Sequence, residues 1–225
     1  MHIELTEMLR CPEAHREDAM VLSTGEMVGR MVRSGLIGCS VCRKEFLITN
    51  GIVDFVGSAE QGPVTPGHRP GVSRDTIGSA DPGPAARGEP APPRPPLLSP
   101  VDLQALLELS GPGGFVVLLG DAARHAAGLA GLMAGIHFIG VNAPPDVGEL
   151  PVLSLLRTES VIPLRQAIAR GVVVGADLAT SPWLVEAHRI LLRGRRVVAL
   201  KEKPELPIGL EKLAVAKGVW VGEKR

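Results

Sequence analysis

The stretch from residue 114 to residue 141, GFVVLLGDAARHAAGLAGLMAGIHFIGV, constrains the fold more than any other part of this sequence. An apolar run, Phe115 to Leu119, reaches Gly120. An alanine-rich segment of helical composition follows from Asp121 to Met133, and a second apolar run begins at Ile136. Strand, turn, helix and strand in that order make the opening βαβ unit of a nucleotide-binding α/β domain. When such a turn cradles a nucleotide it is rich in glycine, because the backbone must approach the ligand closely. Here it reads Gly120-Asp121-Ala122-Ala123-Arg124, with a single glycine.

The flanking sequence extends the same alternation. Before the unit, Pro100 to Leu109 reads as a helix with Ser99 as its N-cap. After it, Val152 to Leu156 is a short apolar run and Ile162 to Ala169 reads helical. The GVVVG of residues 171–175 is a buried strand. Ser181-Pro182 opens a helix that runs to Leu192, and Arg195 to Leu200 is the next strand. Leu206 to Ala216 reads as a last helix and Val219 to Val221 as a last strand. The expected fold class is α/β, a mainly parallel, doubly wound sheet with helices on both faces. The GPGG at 111–114 precedes its strand rather than following it, so it is not a phosphate loop.

All three cysteines, Cys11, Cys39 and Cys42, lie in the first fifth of the chain. An odd count in one cluster points to a metal site rather than a disulfide framework. Residues 20–32 suggest a short hairpin around Thr24-Gly25, and Asn50-Gly51 between apolar pairs is a strong hairpin signal. Two cysteine-bearing turns on short strands make a small zinc-ribbon-like β domain over residues 1–56, too small to fold on apolar burial alone. A redox role for Cys39 and Cys42 is disfavoured, since no helix start follows to lower a thiol pKa.

The Cys11-Pro12 pair, the CxxC of residues 39–42 and the segment ending Asn50-Gly51-Ile52 together resemble a zinc-ribbon family. That family activates RNA and protein methyltransferases in eukaryotes and archaea, and many bacterial proteins carry the same ribbon, some ahead of a methyltransferase domain. The family pattern CPxC would place a cysteine at position 14, which is Ala14 here. His15 stands next to it, and the resemblance then implies the zinc ligand set Cys11, His15, Cys39 and Cys42.

The second half, residues 100–225, is similar to the class I methyltransferase fold that uses S-adenosylmethionine. The best local match is SPWLVEAHRILLRGRRVVAL at 181–200, which resembles that family's helix and strand before its terminal hairpin. The resemblance places candidate cofactor residues at Gly120, Asp121, Asn142 and Asp177. It also exposes departures. Leu118 stands near the usual acidic position, and Ala122 and Arg124 occupy places where glycine is expected. Asn142 replaces the acid that holds the ribose hydroxyls. Asp121 reads more readily as a helix cap, Asn142 equally as a turn residue and Asp177 equally as a solvated loop residue. His125, His137 and His188 show no partner spacing. Arg193, Arg195 and Arg196 form a small basic cluster whose plainer reading is a solvated turn.

Ten of the 20 prolines fall between residues 57 and 99, which reads as an extended linker between the two halves. Lys and Arg total 24 against 24 Asp and Glu, so no global charge points to nucleic acid or an anionic membrane. Aromatic residues make up 3% of the chain, too few for base-stacking platforms. The start carries no signal-like pattern and no apolar run is long enough to span a bilayer. The expected location is cytoplasmic, with the surface of a membrane complex an alternative. The functional expectation is a methyltransferase-like chain without catalytic residues and with doubtful S-adenosylmethionine binding. It would act as an accessory or structural subunit, its linker laid across a protein partner. The alternative is an active methyltransferase with an atypical cofactor site, acting on RNA, protein or a small molecule.

Overall fold

The computed structural model describes residues 1–57, 98–216 and 218–225. All but the ends of the proline-rich linker lies outside the described residues, and with it the expectation that the linker crosses a partner. The first half contains a 3-10 turn at Ile3–Met8 and six short strands. These are β1 (Met20–Thr24), β2 (Met27–Val28), β3 (Met31–Val32), β4 (Gly35–Cys39), β5 (Glu45–Thr49) and β6 (Ile52–Asp54). The expected Asn50-Gly51 turn joins β5 to β6, with both residues at positive φ (52° and 77°), as a two-residue hairpin turn requires. The hairpin expected around Thr24-Gly25 is not formed. β1 pairs instead with β4, and β2 with β3 in a separate small ladder. Ser34 is the cause: its carbonyl accepts from the Gly25 amide and its hydroxyl from the Glu26 amide, closing a wider loop.

The second half runs α1 (Pro100–Leu107), β7 (Phe115–Leu119), α2 (Ala126–Leu132), β8 (His137–Val141), β9 (Leu153–Arg157) and β10 (Ala169–Val174). It continues with α3 (Ser181–Ile190), β11 (Leu191–Ala199), β12 (Leu210–Ala216) and β13 (Val219–Lys224). Eleven strands form one sheet in the order β1-β4-β5-β6-β9-β8-β7-β10-β11-β13-β12. From β6 to β11 every neighbouring pair is parallel, and β11, β13 and β12 close the far end antiparallel. This is the mainly parallel α/β sheet expected, closed at one end by an antiparallel hairpin and joined to a small N-terminal β unit. The join is a parallel ladder in which Ile52, Val53 and Asp54 of β6 face Leu155, Leu156 and Arg157 of β9. The ribbon-like unit and the α/β half therefore share one sheet and belong to one compact unit.

Strand alternation divides the core between the two faces. Val116 and Leu118 of β7 pack with Leu103 and Leu107 of α1 and with Ala126 and Leu129 of α2. Val117 and Leu119 pack on the other face with Trp183, Leu184, Ala187 and Ile190 of α3. That second core continues without a break into Leu5, Leu9, Ile37 and Phe46 of the ribbon-like unit. Among the described residues no helix is long and apolar enough to cross a membrane.

Four expectations change. The helix expected from Asp121 begins as a 3-10 turn, Gly120–His125, before α2. α3 has Thr180 rather than Ser181 at its N-cap and ends at Ile190, two residues early. Ile162 to Ala169 is not helical. Leu164 bridges Leu9, the Arg10 amide donates to the Pro163 carbonyl and the Arg165 amide to the Met8 carbonyl. Those tertiary bonds replace the ones a helix would have made, and Pro163 has no amide to give one. Leu206 to Ala216 is not a helix either. Pro204, Pro207 and Gly209 (φ 97°) hold its start extended, and β12 pairs along β13 at the sheet edge.

Candidate functional site

Chain order places a switch point between β7 and β10, because the chain winds from β7 to one side and then returns to the other. Ligands of open α/β sheets bind at such a point, beyond the carboxyl ends of the strands. Gly120 and Asp121 leave β7 there, and Gly175 and Asp177 leave β10. The structure brings Gly120, Asp121 and Asp177 together, facing each other. The Asp121 amide donates to Asp177 Oδ1 at 3.2 Å. Gly120 holds φ at 59°, and a Cβ there would stand 2.6 Å from Asp177 Oδ1 and 2.7 Å from its Cγ. A Cβ on Gly175 would stand 2.8 Å from the Asp121 amide nitrogen. These two glycines let a side chain of the protein itself approach the backbone of the turn.

Asn142 follows β8 in the left-handed region, at φ 52°. Its amide makes one bond at each end to Thr158 beyond β9: Nδ2 donates to the Thr158 carbonyl and Oδ1 accepts from the Thr158 amide, each at 2.9 Å. Thr158 Oγ1 in turn donates to the Val161 carbonyl at 2.7 Å. Arg124 lies across the gap between the first two strand ends. Its guanidinium donates twice to Asp146 in the loop after β8, at 2.9 and 3.0 Å, and pairs with Asp121 as well. The same loop is tied to the ribbon-like unit by the Arg33–Glu149 ion pair. Leu118, near the usual acidic position, is fully buried against α1 and α2.

The cysteine cluster forms on the other side of the β6–β9 join. The ligand atoms of Cys11, His15, Cys39 and Cys42 all lie within 4.8 Å of one another. Cys11 Sγ is 3.6 Å from Cys42 Sγ, and Cys39 Sγ is 3.4 Å from His15 Nε2. Zinc–sulfur bonds of about 2.3 Å and zinc–nitrogen bonds of about 2.0 Å in a tetrahedron put neighbouring ligand atoms roughly 3.5 to 3.8 Å apart. The four residues therefore fit a structural zinc ion. The knuckle is set by the backbone: the Arg43 amide donates to the Cys39 carbonyl and the Cys39 amide to the Lys44 carbonyl, each at 2.9 Å. Burial raises the Cys39 pKa, but hydrogen bonds from the Cys42 and Val41 amides and from the Cys42 and Cys11 thiols together outweigh it and bring it down to about 7. Burial pushes the Cys11 thiol upward, and the neighbouring thiols add to it. Without a cation the cluster does not ionise fully, whereas a dication stabilises all three thiolates.

Several remaining sequence candidates are held by the fold. Arg196 pairs with Glu108 at 2.5 Å beyond the end of α1. The GPGG loop wraps its carbonyls around Arg170, which takes Ser110 and Pro112 at 2.7 and 2.9 Å. His125 is buried in the 3-10 turn. Two partners escaped the sequence reading: Thr158, which carries no local signal, and His2, whose ring lies 4.2 Å from that of His137.

No family model matches the sequence, and no curated protein matches it. Several solved methyltransferases are similar over part of the chain. One is the Haloferax volcanii complex between the Trm112 methyltransferase activator and a methyltransferase, 21% identical over 45% of this chain and 50% of that one, with a TM-score of 0.37. The antibiotic-resistance methyltransferase Kmr is 17% identical over 56% of this chain and 93% of that one, at 0.40. A geranyl diphosphate C-methyltransferase from Streptomyces coelicolor A3(2) is 16% identical over 44% and 41%, at 0.39. This chain thus spans half the length of the Haloferax chain it matches. The likeness is one of partial chain trace, and the chemistry of the site rests on its own residues.

Proposed function

We propose that this chain is an accessory or structural subunit of a larger protein assembly. In this reading it keeps a methyltransferase-like fold, does not bind S-adenosylmethionine, and carries a zinc-stabilised ribbon on its own sheet. The observation that carries the reading is the carboxylate of Asp177, which sits over Gly120 and accepts from the Asp121 amide at 3.2 Å. An incoming nucleoside needs that turn, and it needs a polar group at Asn142, whose amide is already engaged on Thr158. The Arg124–Asp146 ion pair bridges the turn after β7 and the loop after β8. In this reading Asp177, Asn142 and the Asp121 amide serve contacts within the protein rather than a cofactor. Loss of a site with retention of a fold is an ordinary outcome, since fold and function are separable.

A partner surface is supported at the far end of the sheet. β12 is an edge strand with Leu213 and Val215 exposed, and Ile208 before it is 99% exposed. An uncovered edge with apolar side chains invites pairing with another chain. The test is calorimetry of the purified full-length protein with S-adenosylmethionine and S-adenosylhomocysteine, together with sedimentation of the native protein. The expected result is no saturable heat and migration with an assembly larger than the monomer. Micromolar binding, or cofactor retained through purification, overturns the reading in favour of an active methyltransferase.

A further inference from the structure

A second group of metal-ligating side chains lies outside both sites described above. His2, Glu4 and His137 offer two imidazoles and a carboxylate whose ligand atoms lie within 4.8 Å of one another. We propose that these three residues form a second metal site, one that takes a divalent first-row transition ion. His2 precedes the 3-10 turn and is 8% exposed; its amide donates to Ser154 Oγ on β9 at 2.9 Å, and its backbone bridges Met31. His137 opens β8. Strand and turn thus hold the two rings 4.2 Å apart before any ion arrives. Two imidazoles so close repel each other when both are protonated, and a shared ion replaces both protons.

The carboxylate completes the set. Glu4 Oε2 is 3.9 Å from His2 Nδ1, while its other oxygen pairs with Arg30. A guanidinium on one oxygen orients the other, as outer partners of metal ligands do. The competing contact at His2 Nδ1 is from the Glu4 amide at 3.4 Å, a long hydrogen bond that costs little to release. Nitrogen and oxygen ligands at about 2.0 to 2.2 Å from one ion in a tetrahedron stand roughly 3.3 to 3.6 Å apart. Binding therefore closes the group by roughly 1 Å, and the Glu4 side chain, 54% exposed, can swing toward the two rings.

The site differs in kind from the cysteine cluster. It holds three protein ligands rather than four, and a cavity of about 560 Å³ lined by His2, Arg30, Arg33 and Glu149 opens beside it. Three ligands with open positions mark a site that keeps water or an exchangeable group on the ion, unlike a closed structural centre. Two histidines and one carboxylate suit zinc, iron, nickel or copper ions rather than calcium or magnesium.

The experiment uses the full-length protein titrated with Co²⁺ and followed by absorption, and with Zn²⁺ followed by calorimetry. Cobalt at the cysteine cluster gives strong thiolate charge-transfer absorption, and cobalt at the proposed site gives visible bands without it. The expected result is a non-thiolate equivalent in the wild type, unchanged in Cys39→Ser and lost in His137→Gln. Glu4→Gln, on an exposed turn, weakens that equivalent at least tenfold and carries the test if His137→Gln does not fold. Absence of any non-thiolate equivalent in the wild type overturns the proposal. So does a non-thiolate equivalent that survives unchanged in the folded His137→Gln or Glu4→Gln protein.

Discussion

Removal of the Glu186 carboxylate should loosen both halves of the molecule at once. Glu186 lies on α3 with its side chain 13% exposed, opposite Arg189 at 21%. It accepts from Arg189 Nε at 2.9 Å, from Arg189 Nη2 at 2.7 Å and from the Ile162 amide at 2.8 Å. Arg10, the residue before Cys11, approaches it at 3.9 Å. Breaking a buried ion pair by deleting one partner costs about 3 to 5 kcal/mol, because a charge is left uncompensated. Arg189 would keep the carbonyls of Ile162 and Leu164, each at 2.7 Å, which offsets part of that loss. Glu186→Ala is therefore expected to cost about 2 to 3 kcal/mol. Glu186→Gln retains an acceptor for the Ile162 amide and should cost about half as much. For a unit of this size 1 kcal/mol moves Tm by about 2 to 4 °C, so the alanine variant should melt roughly 5 to 10 °C lower. Urea unfolding followed by tryptophan fluorescence and far-ultraviolet circular dichroism checks this. The midpoint should fall with an unchanged slope, and the two probes should coincide because the ribbon-like unit and the α/β half share one sheet. A shift below about 0.5 kcal/mol, or equal effects of alanine and glutamine, would refute the reasoning.

Three further outcomes follow from the same geometry. Loading the cysteine cluster with Zn²⁺ should raise the melting temperature of the whole described unit in one transition, and chelation or Cys39→Ser should reverse it; a separate early transition confined to the ribbon-like unit would contradict the shared core. Gly120→Ala forces a left-handed alanine, costing about 1 to 2 kcal/mol, and adds a collision with Asp177. Adding Asp177→Ala should recover the collision part alone, a coupling readable from a double-mutant cycle, and additive losses would show that Asp177 does not fill the turn. Burial holds the pKa values of His125 and His188 below the usual histidine range, with Lys224 adding to it at His188. The unfolded chain then binds more protons as pH falls through about 6.5. Stability should be full above that value and decline as pH drops toward the folded pKa values. His125→Gln should flatten the decline in a melting series from about pH 7.5 to 5.5, and an unchanged slope would count against it.

The sequence by itself determined the local elements whose signals are short in range. The apolar runs at 115–119 and 137–141 became adjacent parallel strands, Asn50-Gly51 made its turn because both positions need positive φ, and Ser99 capped α1. The cysteine spacing, with His15 standing in for the absent fourth cysteine, brought four ligand atoms together. Tertiary structure decided the rest, wherever a segment's hydrogen bonds go to a distant partner. Ile162 to Ala169 has helical composition, yet Leu9, Arg10 and Arg189 take its backbone groups. Leu206 to Ala216 does too, yet β13 offers it a ladder. The cofactor turn makes the same point. Gly120 and Asp177 were both legible as candidate contacts, but 56 residues separate Asp177 from the Asp121 amide that it accepts from. Only the parallel pairing of β7 with β10 sets that carboxylate against the turn, and that pairing is a property of the folded sheet.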